Sequence, residues 1–383
     1  MVRAEKMKLL VFAHKPPPHH GQSYMVQAML EALKGSPIRA FHVDARLSND
    51  FEDVGRMRWG KLFLVLKYCL QAIWLRFRHG VDNFCYLPAG AHRVPLYRDW
   101  MVMLLCRPFF RRIIYYWQAA GLGEWLETKA KPWEKWLSAQ LIFAPDLSIV
   151  LGNYNRRDAE VVRSKNVAVV PNGIPDPRPD FEQDILPVRV AQAEKRQSGE
   201  SYTFQVLYLA LCYRRKGLFD LLEAIALAND QLRGTPVRMK LVVAGKFFFA
   251  EERKEFDERI AQSDLVNWVE YKGFAAGEEK RALMRTSDCF CFPTYYKAEN
   301  FPLVLIESMA YGLPIVSTRW RGMPEFLPAG YEHIVDPEAP EQLARALVSL
   351  LGEGYDPRLR AHFLEHYTDQ VFTGKIRAAL LNL

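Results

Sequence analysis

KAENFPLVLIESMAYGLPIVST, residues Lys297 to Thr318, sets two carboxylates, Glu299 and Glu307, eight positions apart around a helix start. Pro302 suits the first turn of a helix, where its missing N–H is not needed, and Gly312 followed by Pro314 stops that helix about ten residues later. The N–H groups of Phe301, Leu303 and Val304 are then left facing whatever Glu299 faces. A helix N-terminus attracts an anion through unpaired donors and its dipole, and flanking carboxylates can accept the hydroxyls of a sugar or a ribose. The pattern is the outline of a nucleotide-sugar site.

Spacing alone is weak, because Glu270 and Glu278 also stand eight apart. Context separates the two pairs. DCFCFPT (Asp288 to Thr294) and PIVST (Pro314 to Thr318) are short apolar runs that read as buried strands on either side of the helix. The helix start therefore emerges where parallel sheets place ligands.

Working outward, strand-like runs alternate with helical stretches along the whole chain, which predicts an α/β fold with parallel sheets. The first half offers KLLVFAH, IRAFHVD, NFCYL, RIIYYW, LSIVLG and NVAVV; the second offers FQVLYLAL, KLVVAG, VNWVEYKG, CFCFPT, PIVST and HIVD. Between the halves, Pro175 to Glu200 lacks sustained apolar periodicity and reads as hinge and surface loop. The expected division is 1–180 as a first domain, 181–200 as linker, 201–355 as a second domain, and 356–383 as an amphipathic helical tail.

A chain of 383 residues, half of them hydrophobic, can support two separate cores. No leader or spanning helix is apparent: LLVFA is too short, and LFLVLKYCLQAIWL is broken by Lys67 and Gln71. Six cysteines without a C-x-x-C pair agree with free thiols in a reducing compartment, so a cytoplasmic protein is expected. The net charge of +7 hides an asymmetry, because residues 1–180 carry 26 Lys and Arg against 16 Asp and Glu. Eleven of those cations fall between Arg56 and Arg112, opposed only by Asp82 and Asp99 and interleaved with Trp59, Phe63, Trp74, Phe77, Trp100, Phe109 and Phe110. This composition suits solvated helix faces or peripheral contact with an anionic membrane at its inner face, and no nucleic-acid-binding signature accompanies it.

Leu241 to Leu327 resembles the C-terminal domain of the retaining glycosyltransferases of family 4, also called group 1. It does so through VVAGKF, LVNWVEYKGF, RALMRTSDCFCFPT, the E-x7-E core and RGMPEFL. VAVVPNGIPD (Val167 to Asp176), YRRKGLFDLLEAI (Tyr213 to Ile225) and PPPHHGQS (Pro16 to Ser23) extend the likeness over most of the chain in order. The resemblance implies a GT-B fold, two Rossmann-like domains facing a central cleft, with the tail crossing back onto the first. It also implies a retaining glycosyltransferase taking a nucleotide-sugar donor and a glycan or lipid-linked acceptor, with a role in cell-surface polysaccharide or glycolipid synthesis.

Under that resemblance Lys216 is the diphosphate-binding lysine, Glu307 holds the ribose and Glu299 contacts the transferred sugar. Asn300, Phe301, Pro302 and Leu303 at the helix start join the donor site, with Arg215, or Arg214, as a second cation. Gly21 and Gln22 open the first helix, where a glycine lets backbone approach a diphosphate. The chain departs from the family in three places. Similar proteins frequently carry two glycines where it has Gly21-Gln22, often carry an arginine at the positions of Ala210 or Leu211, and many carry a histidine where it has Gln118. Gln118 cannot take up a proton at neutral pH, which suits a reaction in which the leaving phosphate receives it. Neither a cofactor nor a metal is expected, and the adjacent His19 and His20 read as loop residues. A nucleotide-sugar epimerase and a non-catalytic nucleotide-sugar-binding protein of the same fold stay open beside the transferase.

Overall fold

The computed structural model describes residues 7–17, 21–46, 59–88, 90–262 and 264–383. His19, His20, Arg56 and Arg58 lie outside them. The chain divides into two compact units. The first comprises Met1–Pro175, Lys297–Phe301 and Tyr367–Leu383, and the second Asp176–Tyr296 and Pro302–His366.

In the first unit six parallel strands, β1 (Met7–Phe12), β2 (Ile38–Val43), β3 (Asn83–Tyr86), β4 (Arg112–Tyr116), β5 (Leu147–Val150) and β6 (Val167–Val169), lie in the order β2-β1-β3-β4-β5-β6. In the second, β7 (Tyr202–Leu209), β8 (Val237–Ala244), β9 (Val269–Gly273), β10 (Cys289–Phe292), β11 (Ile315–Thr318) and β12 (Ile334–Val335) lie in the order β12-β11-β10-β7-β8-β9. Each corresponds to a run predicted above. The runs are continuous rather than alternating because helices cover both faces of a parallel sheet, so β3, β5, β10 and β11 are buried at every position. The second sheet follows the doubly wound order, and its direction of growth reverses between β7 and β10.

The division differs from the expected one in four places, one of them the tail: residues 356–366 stay in the second unit, and only Tyr367–Leu383 belongs to the first. First, 181–200 is helical and docked, with helices Phe181–Asp184 and Leu186–Gln197. Arg189 is buried there and donates to the carbonyls of Tyr311 (3.0 Å), Ser287 (2.6 Å) and Met284 (2.6 Å), while burial pushes its pKa down to about 10. Three carbonyls compensate the desolvation of the guanidinium and tie the segment to the second unit. Second, the boundary falls after Pro175, since Asp176 is held by Arg360. Third, Lys297–Phe301 belongs to the first unit, where the Asn300 amide donates to the Trp117 carbonyl (3.3 Å) and the Phe301 ring meets that of Tyr367 (5.5 Å). The last helix, Asp369–Leu381, packs on the first helix, Gly21–Leu33, and Arg377 donates to the carbonyls of Ala32 (2.6 Å) and Lys34 (2.9 Å).

Candidate active site

At the reversal of the second sheet, the loops leaving β7 and β10 are locked together. Tyr295 N–H donates to the Arg215 carbonyl (2.9 Å), and Gly217, with φ +78°, begins the helix Leu218–Gln231 directly against Pro293. A Cβ on Gly217 would lie 2.1 Å from the Pro293 carbonyl oxygen, so only glycine satisfies both the left-handed backbone and the close approach. From the neighbouring strand, the Ser317 hydroxyl donates to the Phe292 carbonyl (2.8 Å) and the Thr318 hydroxyl to that of Thr294 (2.5 Å); beyond β11, the Trp320 indole donates to the Tyr296 carbonyl (2.9 Å). The loop after β10 is thus fastened as far as Tyr296.

Lys216 projects from this junction with its ammonium 5.2 Å from the centroids of both Phe292 and Tyr296. Two ring faces stabilise the cation without neutralising it. Arg214 is committed elsewhere: its guanidinium pairs with Glu255 and lies 4.3 Å over Phe219, and its N–H donates to Glu252 (3.0 Å). Arg215 is exposed. Of the two arginines considered as a second cation, only Arg214 is paired with a carboxylate among the described residues.

The helix after the β10 loop spans Leu303–Ala310, with Pro302 as N-cap and no side chain capping its first turn. It ends as expected, with Gly312 at φ +55°. Glu307, at its second turn, is partly buried and pairs with Lys280 on the helix Gly277–Thr286 (Nζ to Oε1 2.6 Å). Lys280 is one residue that sequence reading missed. Its only signal was a lysine amid the charges of GEEKRALMRT, which reads as a solvated face. The competing carboxylate pair is structural: Glu270 is held by Lys240 and Lys272, which lower its pKa through their hydrogen bonds, and Glu278 pairs with Arg281 at the surface.

In the first unit Glu299 and Asn300 are buried. Gln118, just beyond β4, pairs with the buried Asn172 amide through its Nε2 (3.0 Å to Oδ1), and Asn172 returns a longer contact from its Nδ2 (3.4 Å). Asn172 belongs to the VAVVPNGIPD segment, so two parts of the resemblance that are distant in sequence meet here. Gly21 is exposed at the start of its helix, and Gln22 is partly exposed. His362 and His366, passed over in the sequence, stand four apart on the helix Arg358–His366 with rings 4.4 Å apart. Among the described residues no group of three or more His, Cys, Asp or Glu is placed to hold a metal, and the six cysteines are all buried and free.

Residues 191–366 match the family model of the glycosyl transferases group 1. The amylovoran biosynthesis glycosyltransferase AmsK of Erwinia amylovora is 28% identical over 154 residues, 39% of this chain and 36% of that protein. The O-antigen chain mannosyltransferase B of Escherichia coli is 26% identical over 119 residues, 31% of this chain and 29% of that one. The matched stretch therefore spans roughly a third of these curated relatives. Among solved structures, Anabaena Alr3699/HepE in complex with UDP and glucose aligns with a TM-score of 0.67 at 17% identity, over 99% of this chain and 100% of that one. Sucrose-phosphate synthase from Thermosynechococcus elongatus aligns with a TM-score of 0.69 at 18% identity, over 98% and 100%. At such identities the structural likeness speaks for the fold, two Rossmann-like domains of the GT-B type. The chain thus has the GT-B fold throughout, and its residues 191–366, a little under half of it, match the glycosyl transferases of group 1.

Proposed function

We propose that this chain is a retaining, metal-independent glycosyltransferase that moves a sugar from a nucleotide-sugar donor to a glycan or lipid-linked acceptor in cell-surface polysaccharide or glycolipid synthesis. The observation that carries the reading is Lys216, an aromatic-flanked ammonium at the β7/β10 reversal, in the same unit as an uncapped helix start and Glu307. The names of the relatives, amylovoran biosynthesis and O-antigen chain mannosyl transfer, support the acceptor class, and UDP in the HepE structure supports a nucleotide donor.

Cleaving a sugar–diphosphate bond leaves negative charge on the departing phosphate oxygen. Lys216 and the N–H groups of Leu303 and Val304 supply fixed positive potential for that charge. Glu307 accepts the ribose hydroxyls, with Lys280 holding its carboxylate in place, and Glu299 accepts hydroxyls of the transferred sugar. Gln118 takes no proton, so the acceptor hydroxyl passes its proton to the leaving phosphate on the face the diphosphate vacates, and the anomeric configuration is retained.

Two outcomes follow. Acceptor-dependent release of nucleoside diphosphate proceeds equally with and without EDTA; loss of activity in EDTA restored by magnesium or manganese would replace the lysine with a metal as the charge carrier. Glu307→Ala weakens nucleotide binding by about 1.5–3 kcal/mol, the worth of charged hydrogen bonds, while Glu299→Gln lowers turnover with donor still bound. Titration calorimetry beside initial rates distinguishes them, and unchanged affinity and unchanged turnover in both variants would remove the segment Lys297–Thr318 from the active site.

A further inference from the structure

The helix Trp59–His79 of the first unit is apolar on two opposite sides. Val65, Cys69 and Ala72 are buried against the sheet. On the other side Phe63, Leu66, Leu70, Trp74 and Phe77 are each between 41% and 71% exposed. Steps of three and four residues keep these five on one stripe along a helix that advances about 100° per residue. The largest side chains face outward while the small ones face the core. Phe109, itself exposed, extends the stripe by meeting Phe77 ring to ring at 5.9 Å. Single exposed apolar residues are ordinary, but a contiguous stripe of this kind marks a contact surface.

The charges around the stripe select its partner. Lys67 and Arg78 flank it on the helix, and Arg111 is exposed two residues from Phe109. Between residues 59 and 112 the two carboxylates are both neutralised, Asp82 by Arg76 (2.8 Å) and the buried Asp99 by Arg98 (2.8 Å). A second copy of the chain would bring like charges together across a two-fold axis. An anionic surface with an apolar interior meets both features at once. Among the described residues no helix is long and apolar enough to cross a membrane, and a helix with an exposed apolar stripe flanked by cations suits a contact in the interface plane.

We propose that the first unit docks on an anionic lipid bilayer through this stripe, with Phe63, Trp74 and Phe77 entering the boundary between headgroups and acyl chains and Lys67, Arg78 and Arg111 contacting lipid phosphates. The surface is independent of the transfer reaction, so it stands or falls separately from the proposed activity.

The test is co-sedimentation of the full chain with phosphatidylcholine vesicles and with vesicles containing phosphatidylglycerol, at low and high salt. Wild type partitions onto the anionic vesicles, less so at high salt. The Lys67→Glu/Arg78→Glu/Arg111→Glu variant binds about 100-fold more weakly, since each basic residue near such a surface contributes on the order of fivefold in affinity. Trp74→Ser/Phe77→Ser binds at least about tenfold more weakly, as expected from the loss of two buried aromatic side chains. All five side chains are exposed, so circular dichroism stays unchanged; should the serine variant aggregate, the charge-reversal variant decides alone. Wild type in the supernatant under every condition, or either folded variant sedimenting like wild type, overturns the proposal. So does a dimer in sedimentation velocity that Trp74→Ser dissociates in a chain that ignores vesicles.

Discussion

Lys216→Ala lowers turnover by about a hundredfold or more, because removing one preorganised donor from a site of developing negative charge forfeits transition-state stabilisation that solvent does not replace. The geometry makes the loss specific. The ammonium is held over Phe292 and Tyr296, and the turn that presents it is locked through Gly217 against Pro293 and through Tyr295 against Arg215. Alanine leaves that turn intact, since the locking contacts are made by backbone and by glycine. The neighbouring cations offer little substitution: Arg214 is spent on Glu255, and Arg215 has a different geometry and hydration from a lysine. Steady-state rates with saturating donor measure the effect beside an unchanged thermal transition. Turnover within about threefold of wild type would show that the charge on the leaving phosphate is met elsewhere.

Arg360→Leu destabilises the second unit by about 1.5–3 kcal/mol, the worth of charged hydrogen bonds to a carboxylate that keeps some access to solvent. Arg360 engages both Asp176 oxygens (2.8 and 2.6 Å) and the carbonyls of Ala310 and Arg178 (3.0 Å each), with its guanidinium 4.8 Å over Phe181. This one side chain ties the entry of the unit, its helix Leu303–Ala310 and its exit together. Burial raises the Asp176 pKa, but hydrogen bonds from Arg360 and the Arg178 N–H and the charges of both arginines outweigh it, leaving the carboxyl below its ordinary value. A depressed carboxylate contributes stability that is fully present above its unfolded pKa, about 4, and is lost as pH falls through the folded value. Wild type therefore loses stability below about pH 4 by a component that Arg360→Leu lacks. Guanidinium titrations at neutral and acid pH read both the offset and its narrowing. Equal midpoints for the two proteins at neutral pH would refute the role of the pair.

What was legible in the sequence follows from what periodicity can encode. Buried parallel strands must be apolar at consecutive positions, so runs such as CFCF and LSIV identified themselves, and the alternation of strands and helices predicted an α/β fold with parallel sheets, while the GT-B type was implied by the family resemblance. Docking by arginine left no such trace. LPVRVAQAEKRQ lacks an apolar stripe because its anchors, Arg189 and Arg196, reach the carbonyls of Ser287 and Met284 and the carboxylate of Asp288. Pairings between segments distant in sequence are equally silent, so Lys280 beside Glu307 and Asn172 beside Gln118 came only from the structure. The same holds for the cationic stretch, where composition revealed the excess of charge but not that Arg76 is consumed by Asp82 while Arg78 stays exposed.

If Lys216 meets the donor as proposed, the second unit holds a nucleoside diphosphate where its sheet reverses between β7 and β10. Thermal unfolding of the full chain with UDP, GDP and ADP tests it most directly, because a ligand that binds only the folded state adds about 2.7 kcal/mol at a hundred times its dissociation constant. At least one of the three raises the transition by several degrees in wild type and by clearly less in Lys216→Ala. No shift with any of them, or the same shift in both proteins, would contradict it.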